Sequence, residues 1–245
     1  MQRIRYRSTG YYSIHLPPGI KWLLIVNVAV FLLEFATGAD LQSRPWSFVT
    51  LVPDQLLHGF LWQLATYMFV HGGVWHIVIN MLMLWMFGVD LERDWGTRRF
   101  LKYYFLCGIG AGLSILGMAL FLPPAMSVPT VGASGAIFGL LLAYGVVYAD
   151  RIILLMLLFP MKAKYAVLIF GAIEFFSLGE GSAVSHIGHL GGMAFGYIYL
   201  KVRFKRFSPL GSLQDWYRQR KMERARRKFQ VYLRKRGPGD DRWVN

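Results

Sequence analysis

Cys107 is the only cysteine among 245 residues, so no internal disulfide framework exists and the redox compartment stays open. Charge is scarce as well: Asp, Glu, Lys and Arg make up 16% of the chain against 55% hydrophobic residues. That balance excludes an ordinary soluble domain and points to several membrane spans. Acidic residues are the scarcer sign, 13 against 27 Lys and Arg, leaving a formal net charge of +14. Arg3, Arg5 and Arg7 precede the first apolar run, but no small-residue cleavage site closely follows it. It reads as a retained span rather than a removed signal peptide.

What is abundant is apolar length. Runs lie near 22–38, 74–89, 100–122, 132–149, 163–178 and 184–200. Each approaches the roughly 17–25 residues a helix needs to cross the hydrocarbon of a bilayer. The run Ile152 to Phe159 is too short to cross and is stopped by Pro160, Lys162 and Lys164, so it reads as a loop or interfacial segment. The linker 48–61, with its Phe, Leu, Trp and His around Pro53, reads as a structured, half-immersed loop.

Basic residues alternate along this series. Arg3, Arg5, Arg7 and Lys21 precede the first span, and the first linker has only Arg44. Arg93, Arg98, Arg99 and Lys102 mark the second linker, while Leu122 to Val131 has none. Arg151, Lys162 and Lys164 mark the fourth, the fifth has none, and fifteen more follow Leu200. Because basic loops stay inside, this pattern predicts six spans with both termini cytoplasmic.

Orientation sets depth. Spans two, four and six start on the outer side, and His76, Ser134 and His189 each fall a few residues into them. At ~1.5 Å per residue all three lie within roughly 5–10 Å of the outer surface. His76 and Asn80 are four apart and share a helix face. Ser134 stands near a helix N-terminus, flanked by Gly132 and Gly135, where free backbone N–H groups favour a developing anion. Gly135 and Gly139 repeat at four residues, as do Gly192 and Gly196, a spacing that lets helix backbones approach closely in lipid. Spans four and six are therefore expected to be neighbours, with Phe138 packed on the His189 imidazole. The pattern suits a serine nucleophile with His189 as general base, and His76, Asn80 and the Ser134 N–H as oxyanion donors. No acid is evidently placed to orient His189, so a dyad is expected rather than a triad.

At these residues the sequence resembles the rhomboid family of intramembrane serine proteases. The resemblance covers roughly 20–203 and rests on His76-x-x-x-Asn80, on Gly132-Ala133-Ser134-Gly135, and on His189-x-x-Gly192-x-x-x-Gly196. It implies an all-α membrane fold, a six-transmembrane-helix rhomboid-like bundle, in which Ser134 is the nucleophile, His189 the base, and His76 with Asn80 the oxyanion stabilisers. His186, one turn earlier, is the fallback base. His71 resembles the family's loop-bracing histidine, and Gly88-x-x-x-Glu92-x-x-x-Gly96 its motif closing the inner end of span two. Trp62-Gln63 departs from the Trp-Arg of many members, which puts the arginine's loop contacts in doubt. The resemblance further implies cleavage of transmembrane protein substrates near the outer face, with span five and the loop Ser177 to Ser185 as gate.

Three other readings bear on partners. No cysteine or carboxylate cluster accompanies His71, His76, His186 and His189, so no metal and no cofactor are expected. Glu174 inside span five is read as hydrating a cavity or bonding a neighbouring helix, outside the catalytic set. The chain divides into a cytoplasmic segment 1–19, the domain 20–203 and a tail 204–245. That tail, with four acids against fifteen bases from Lys201 onward, is a topology signal. Its Trp216, Phe229, Tyr232 and Leu233 also suit an amphipathic helix on the anionic lipid of the bilayer. No nucleic acid partner is expected. A bacterial inner membrane is the expected location. The rival class is a catalytically silent relative that binds or retains membrane clients; it predicts a missing serine or histidine.

Overall fold

The computed structural model describes residues 16–38, 45–155, 159–179 and 183–203, with the isolated positions 220 and 222. Among them are eight helices: α1 (Pro18–Thr37), α2 (Pro53–Leu57), α3 (Gln63–Thr66), α4 (Val74–Trp95), α5 (Thr97–Phe121), α6 (Ser134–Val147), α7 (Ala163–Phe176) and α8 (Ala183–Arg203). The contacts divide the chain into units Met1–Ile198 and Tyr199–Asn245, and every side chain of the site lies in the first. The segment 1–15 and the proposed tail helix lie outside the described residues, as do positions 180–182 of the expected gate loop.

Each long apolar run becomes one helix, in order. By length and composition α1, α4 and α5 can cross a membrane. The helices α6 and α7 have 14 residues each, about 21 Å against roughly 30 Å of hydrocarbon. The chain is thus a multi-helix, membrane-associated α protein. The shortness of α6 has a packing reason: α4, α5 and α7 sheathe it, and it buries Gly135, Ala136, Ile137, Gly139, Leu140 and Leu141. A helix enclosed by protein need not match the lipid. Exposed apolar side chains lie instead on other helices: Trp22, Leu32 and Phe35 of α1, Trp75 of α4, Leu168 and Phe176 of α7.

One element departs from expectation. The stretch expected to be loop or interfacial segment forms an antiparallel hairpin, β1 (Ile152–Leu155) with β2 (Phe159–Lys162), Ile152 facing Lys162. Two strands leave both edges unpaired, so Pro160 removes no essential ladder bond. Beside it the Lys164 and Lys162 ammoniums hold the Asp150 carboxyl below the usual carboxylate range. Arg151 pairs with Asp90 at 2.7 Å, and the hydroxyls of Tyr144 and Tyr148 bond Asp90 and Asp94, tying the C-terminal ends of α4 and α6 together.

Two buried polar side chains brace the frame. Glu92 of α4 accepts the Gly19 and Ile20 backbone N–H groups at 2.7 Å each and the Thr97 hydroxyl at 2.6 Å. It caps α1 from another helix, placing negative charge where the first-turn N–H groups have no partner. Gln63 holds the segment 46–66. It accepts from Val52 N at 3.0 Å and donates to Ser47 O at 3.3 Å and Gln55 Oε1 at 2.6 Å. A neutral amide, which donates and accepts at once, does this without a charged side chain. Phe48, Phe60 and Trp62 of the same segment pack against one another, edge-on or tilted, with centroids 4.8, 4.9 and 5.5 Å apart.

Glycines bring α5, α6 and α8 into backbone contact. A Cβ on Gly192 would overlap the carbonyl oxygen of Gly135, and one on Gly139 would come 3.2 Å from the Gly192 oxygen. Gly135, Gly139 and Gly192 form the α6–α8 contact.

Candidate active site

The site is assembled at the N-terminus of α6. Leu51 and Thr130 exchange backbone hydrogen bonds at 3.0 and 2.8 Å, and Gly132 N donates to Tyr67 O at 2.9 Å. These bonds fix the chain entering Ser134 against the braced loop. Gly132 sits at φ +113°, which favours glycine, and a Cβ there would lie 2.7 Å from His76 Nε2. The imidazole of His76 therefore abuts the backbone two residues before Ser134.

Ser134 and His189 meet. His189 Nε2 is 2.8 Å from Ser134 Oγ, and Phe138, one turn below the serine, stacks on the imidazole with centroids 4.2 Å apart and planes 10° off parallel. The stack sets the plane of the His189 ring, and the serine contact sets its edge. A cavity of about 20 Å³ lined by Tyr67, Gly132, Ser134, Gly188 and His189 adjoins the pair. It is large enough for one water.

The other expected residues are less uniform. Asn80 is buried, but its Nδ2 donates to the His76 carbonyl at 2.8 Å, within its own helix. His71 sits in the loop before α4, its N–H held by both Glu34 oxygens at 3.1 and 3.2 Å and its ring edge-on to His76 at 5.1 Å. Burial, with His76 beside it, pushes the His71 imidazole down to about 4, keeping it neutral. Gly196 lies deeper, against Tyr103, whose hydroxyl donates to the Gly139 carbonyl at 2.8 Å. His186 points its Nδ1 at Glu174 Oε2, 2.6 Å away, rather than at the serine.

One expectation is corrected. An acid does stand beside His189: Glu174 of α7 places the same Oε2 atom 2.9 Å from His189 Nδ1. The approach is ion-pair close but off the line of a hydrogen bond, and Nδ1 is left buried without an aligned partner. The signal available was a carboxylate inside an apolar run. What the run could not supply is the rotation of α7 that turns Glu174 toward α8. With it, one carboxylate joins His186 and His189 in a single group of potential ligand atoms.

Similarity to known proteins converges on the same segments. The Rhomboid domain family model matches residues 58–206. Rhomboid protease GluP of Bacillus subtilis is 34% identical over 170 residues, covering 68% of this chain and 31% of that protein. Rhomboid protein 1, mitochondrial, of Saccharomyces cerevisiae is 28% identical over 196 residues, 77% of this chain and 54% of the relative. Rhomboid-like protease 3 of Toxoplasma gondii is 25% identical over 195 residues, 78% and 71%. The chain spans about a third of the length of GluP and about half that of the yeast protein. Since the family match takes in α4 to α8, and with them the Ser134–His189 contact, the chain belongs to the rhomboid family.

Proposed function

We propose that the protein is an intramembrane serine endopeptidase that cleaves transmembrane segments of other proteins near the outer face of a bacterial cell membrane. The observation that carries this is the 2.8 Å contact between His189 Nε2 and Ser134 Oγ on a ring held by Phe138. Ser134 attacks the scissile carbonyl while His189 Nε2 takes its proton and later delivers it to the leaving amine. The Ser134 N–H, His76 and the second amide hydrogen of Asn80 are the oxyanion donors. Glu174 acts through His189 as a positioning residue, favouring the tautomer with its proton on Nδ1 and a lone pair on Nε2 toward the serine. Hydrolysis of the acyl intermediate draws water through the small cavity beside the pair.

The proposed setting is a six-span bundle with cytoplasmic termini, domain boundaries near 20 and 203, and α7 with the following loop as the substrate gate. Sheathed by its neighbours, the short α6 suits this: its N-terminus would lie below the outer rim, where a wetted site is compatible with the bilayer. The silent alternative requires a defect at the serine or histidine, and the sequence carries both residues. The test is labelling by a serine-directed fluorophosphonate alongside cleavage of a transmembrane reporter. Wild type labels at Ser134 and cleaves; Ser134→Ala and His189→Ala lose both. Cleavage by Ser134→Ala overturns the mechanism.

A further inference from the structure

Glu174, His186 and His189 bring three donors together from two rigid helices. His186 and His189 stand three apart on α8 and so share a face, with Glu174 of α7 opposite. Their Nδ1 atoms lie 2.6 and 2.9 Å from the one carboxylate oxygen, and all three donor atoms fall within 4.8 Å of one another. Two imidazoles and a carboxylate are a ligand set of open zinc sites. Tetrahedral coordination at ~2.0–2.1 Å spaces ligand atoms about 3.3 Å apart, so an ion is accommodated when the oxygen backs away by about half an ångström and the two nitrogens close by up to about 1.5 Å.

A second observation points the same way. His189 Nδ1 is buried and lacks an aligned hydrogen-bond partner even with Oε2 2.9 Å away. A metal satisfies such a nitrogen where the neighbouring carboxylate does not. The far side of the same ring is already held by Ser134 and Phe138, the outer support that orients a ligating imidazole.

We propose that Glu174, His186 and His189 form a binding site for a divalent transition-metal ion, zinc foremost, whose occupancy switches off the Ser134–His189 pair. The switch is a tautomer exchange. A metal takes the Nδ1 lone pair of neutral His189, so the ring proton resides on Nε2. That atom then faces Ser134 as a donor and has no lone pair for the serine proton. The ion also engages the Glu174 carboxylate, removing its influence on the ring. Binding rests on the geometry alone; inhibition rests on the proteolytic reading.

The experiment separates the two. Purified full-length protein in detergent is titrated with Zn²⁺ by calorimetry and with Co²⁺ by visible absorption, in wild type, Ser134→Ala, His186→Ala and Glu174→Gln. One ion per chain is expected, bound equally by Ser134→Ala, with tetrahedral Co²⁺ bands. His186→Ala and Glu174→Gln each weaken binding by at least about tenfold. In cleavage assays His186→Ala keeps the metal-free rate, while its Zn²⁺ inhibition midpoint rises at least about tenfold. Zinc affinity unchanged in both ligand variants overturns the site. An unchanged inhibition midpoint in His186→Ala overturns the switch. Intact binding by a wild-type protein that neither labels nor cleaves supports the site and overturns the protease reading instead.

Discussion

Gly192→Ala tests whether the helix packing sets the chemistry. A Cβ at this position overlaps the Gly135 carbonyl oxygen and also presses on the Gly135 carbonyl carbon and Cα. All three are backbone, so no rotamer change relieves the clash, and α8 must move off α6 by roughly 1–1.5 Å to restore contact distance. Overpacking of this kind costs about 1–3 kcal/mol. For a chain of this size that is roughly 2–12 °C in Tm. The same displacement falls on the Ser134–His189 pair one turn away, now 2.8 Å apart. Stretched past about 3.6 Å the contact is no longer a hydrogen bond, and a 1 Å misplacement costs on the order of 100-fold in rate. The measurements are thermal unfolding in detergent and the rate of fluorophosphonate labelling. Gly117→Ala is the control, since a Cβ there meets nothing within 4 Å. On the same helix-forming grounds it gains up to about 1 kcal/mol. Wild-type labelling and Tm in Gly192→Ala would refute the coupling of packing to catalysis.

Other outcomes follow from the same contacts. His76→Ala should lower kcat about 100–1,000-fold, with a smaller change in KM, if its ring binds the oxyanion; equal loss in KM alone would assign it to substrate binding. Glu92→Gln keeps the shape but weakens the bonds to Gly19, Ile20 and Thr97, and Tm should drop by an amount equivalent to roughly 2–4 kcal/mol; no drop would mean the cap is solvated. Gln63→Ala strands the Val52 N–H and frees the segment 46–66, so limited proteolysis should cut there first; an unchanged digestion pattern counts against the brace. Deleting 212–245 should leave cleavage in detergent within a few-fold of wild type, and complete loss in a folded truncation would give the tail a catalytic part.

How much was legible depended on the range of the signal. Gly135, Gly139, Gly192 and Gly196 announce a helix interface because their spacing is a property of each helix alone; the structure places the first three in backbone contact, while Gly196 packs on the Tyr103 and Cys107 side chains of α5. Phe138 was readable for the same reason: one turn below Ser134, it had to face whatever Ser134 faced. The hairpin 152–162 was not, because Ile152 to Phe159 carries apolar character without an alternation that separates strand from loop. Glu174 marks the limit more sharply. Its presence in an apolar run was visible, but its partners depend on the rotation of α7 about its own axis, which is decided by contacts such as Gly145 against Ala163 and Val167.

Glu174 also bears on why the site tolerates two histidines in one shell. A single carboxylate oxygen lies within 2.9 Å of both Nδ1 atoms. That oxygen is shared, and its pull on the His189 proton is divided between two rings. Removing His186 should therefore tighten the Glu174–His189 contact, and the protein should label as fast as wild type or faster. Replacing Glu174 with Gln keeps the size of the side chain but removes the charge that stabilises an imidazolium. Labelling by Glu174→Gln should slow by about 10–100-fold, the typical cost of a support that orients a reacting or ligating imidazole. A merely structural role would lower Tm in both variants and slow both. The discriminating result is a divergence in sign: faster or equal labelling in His186→Ala, slower in Glu174→Gln. If the two variants change in the same direction, Glu174 serves the fold of α7 and α8 rather than the tautomer of His189.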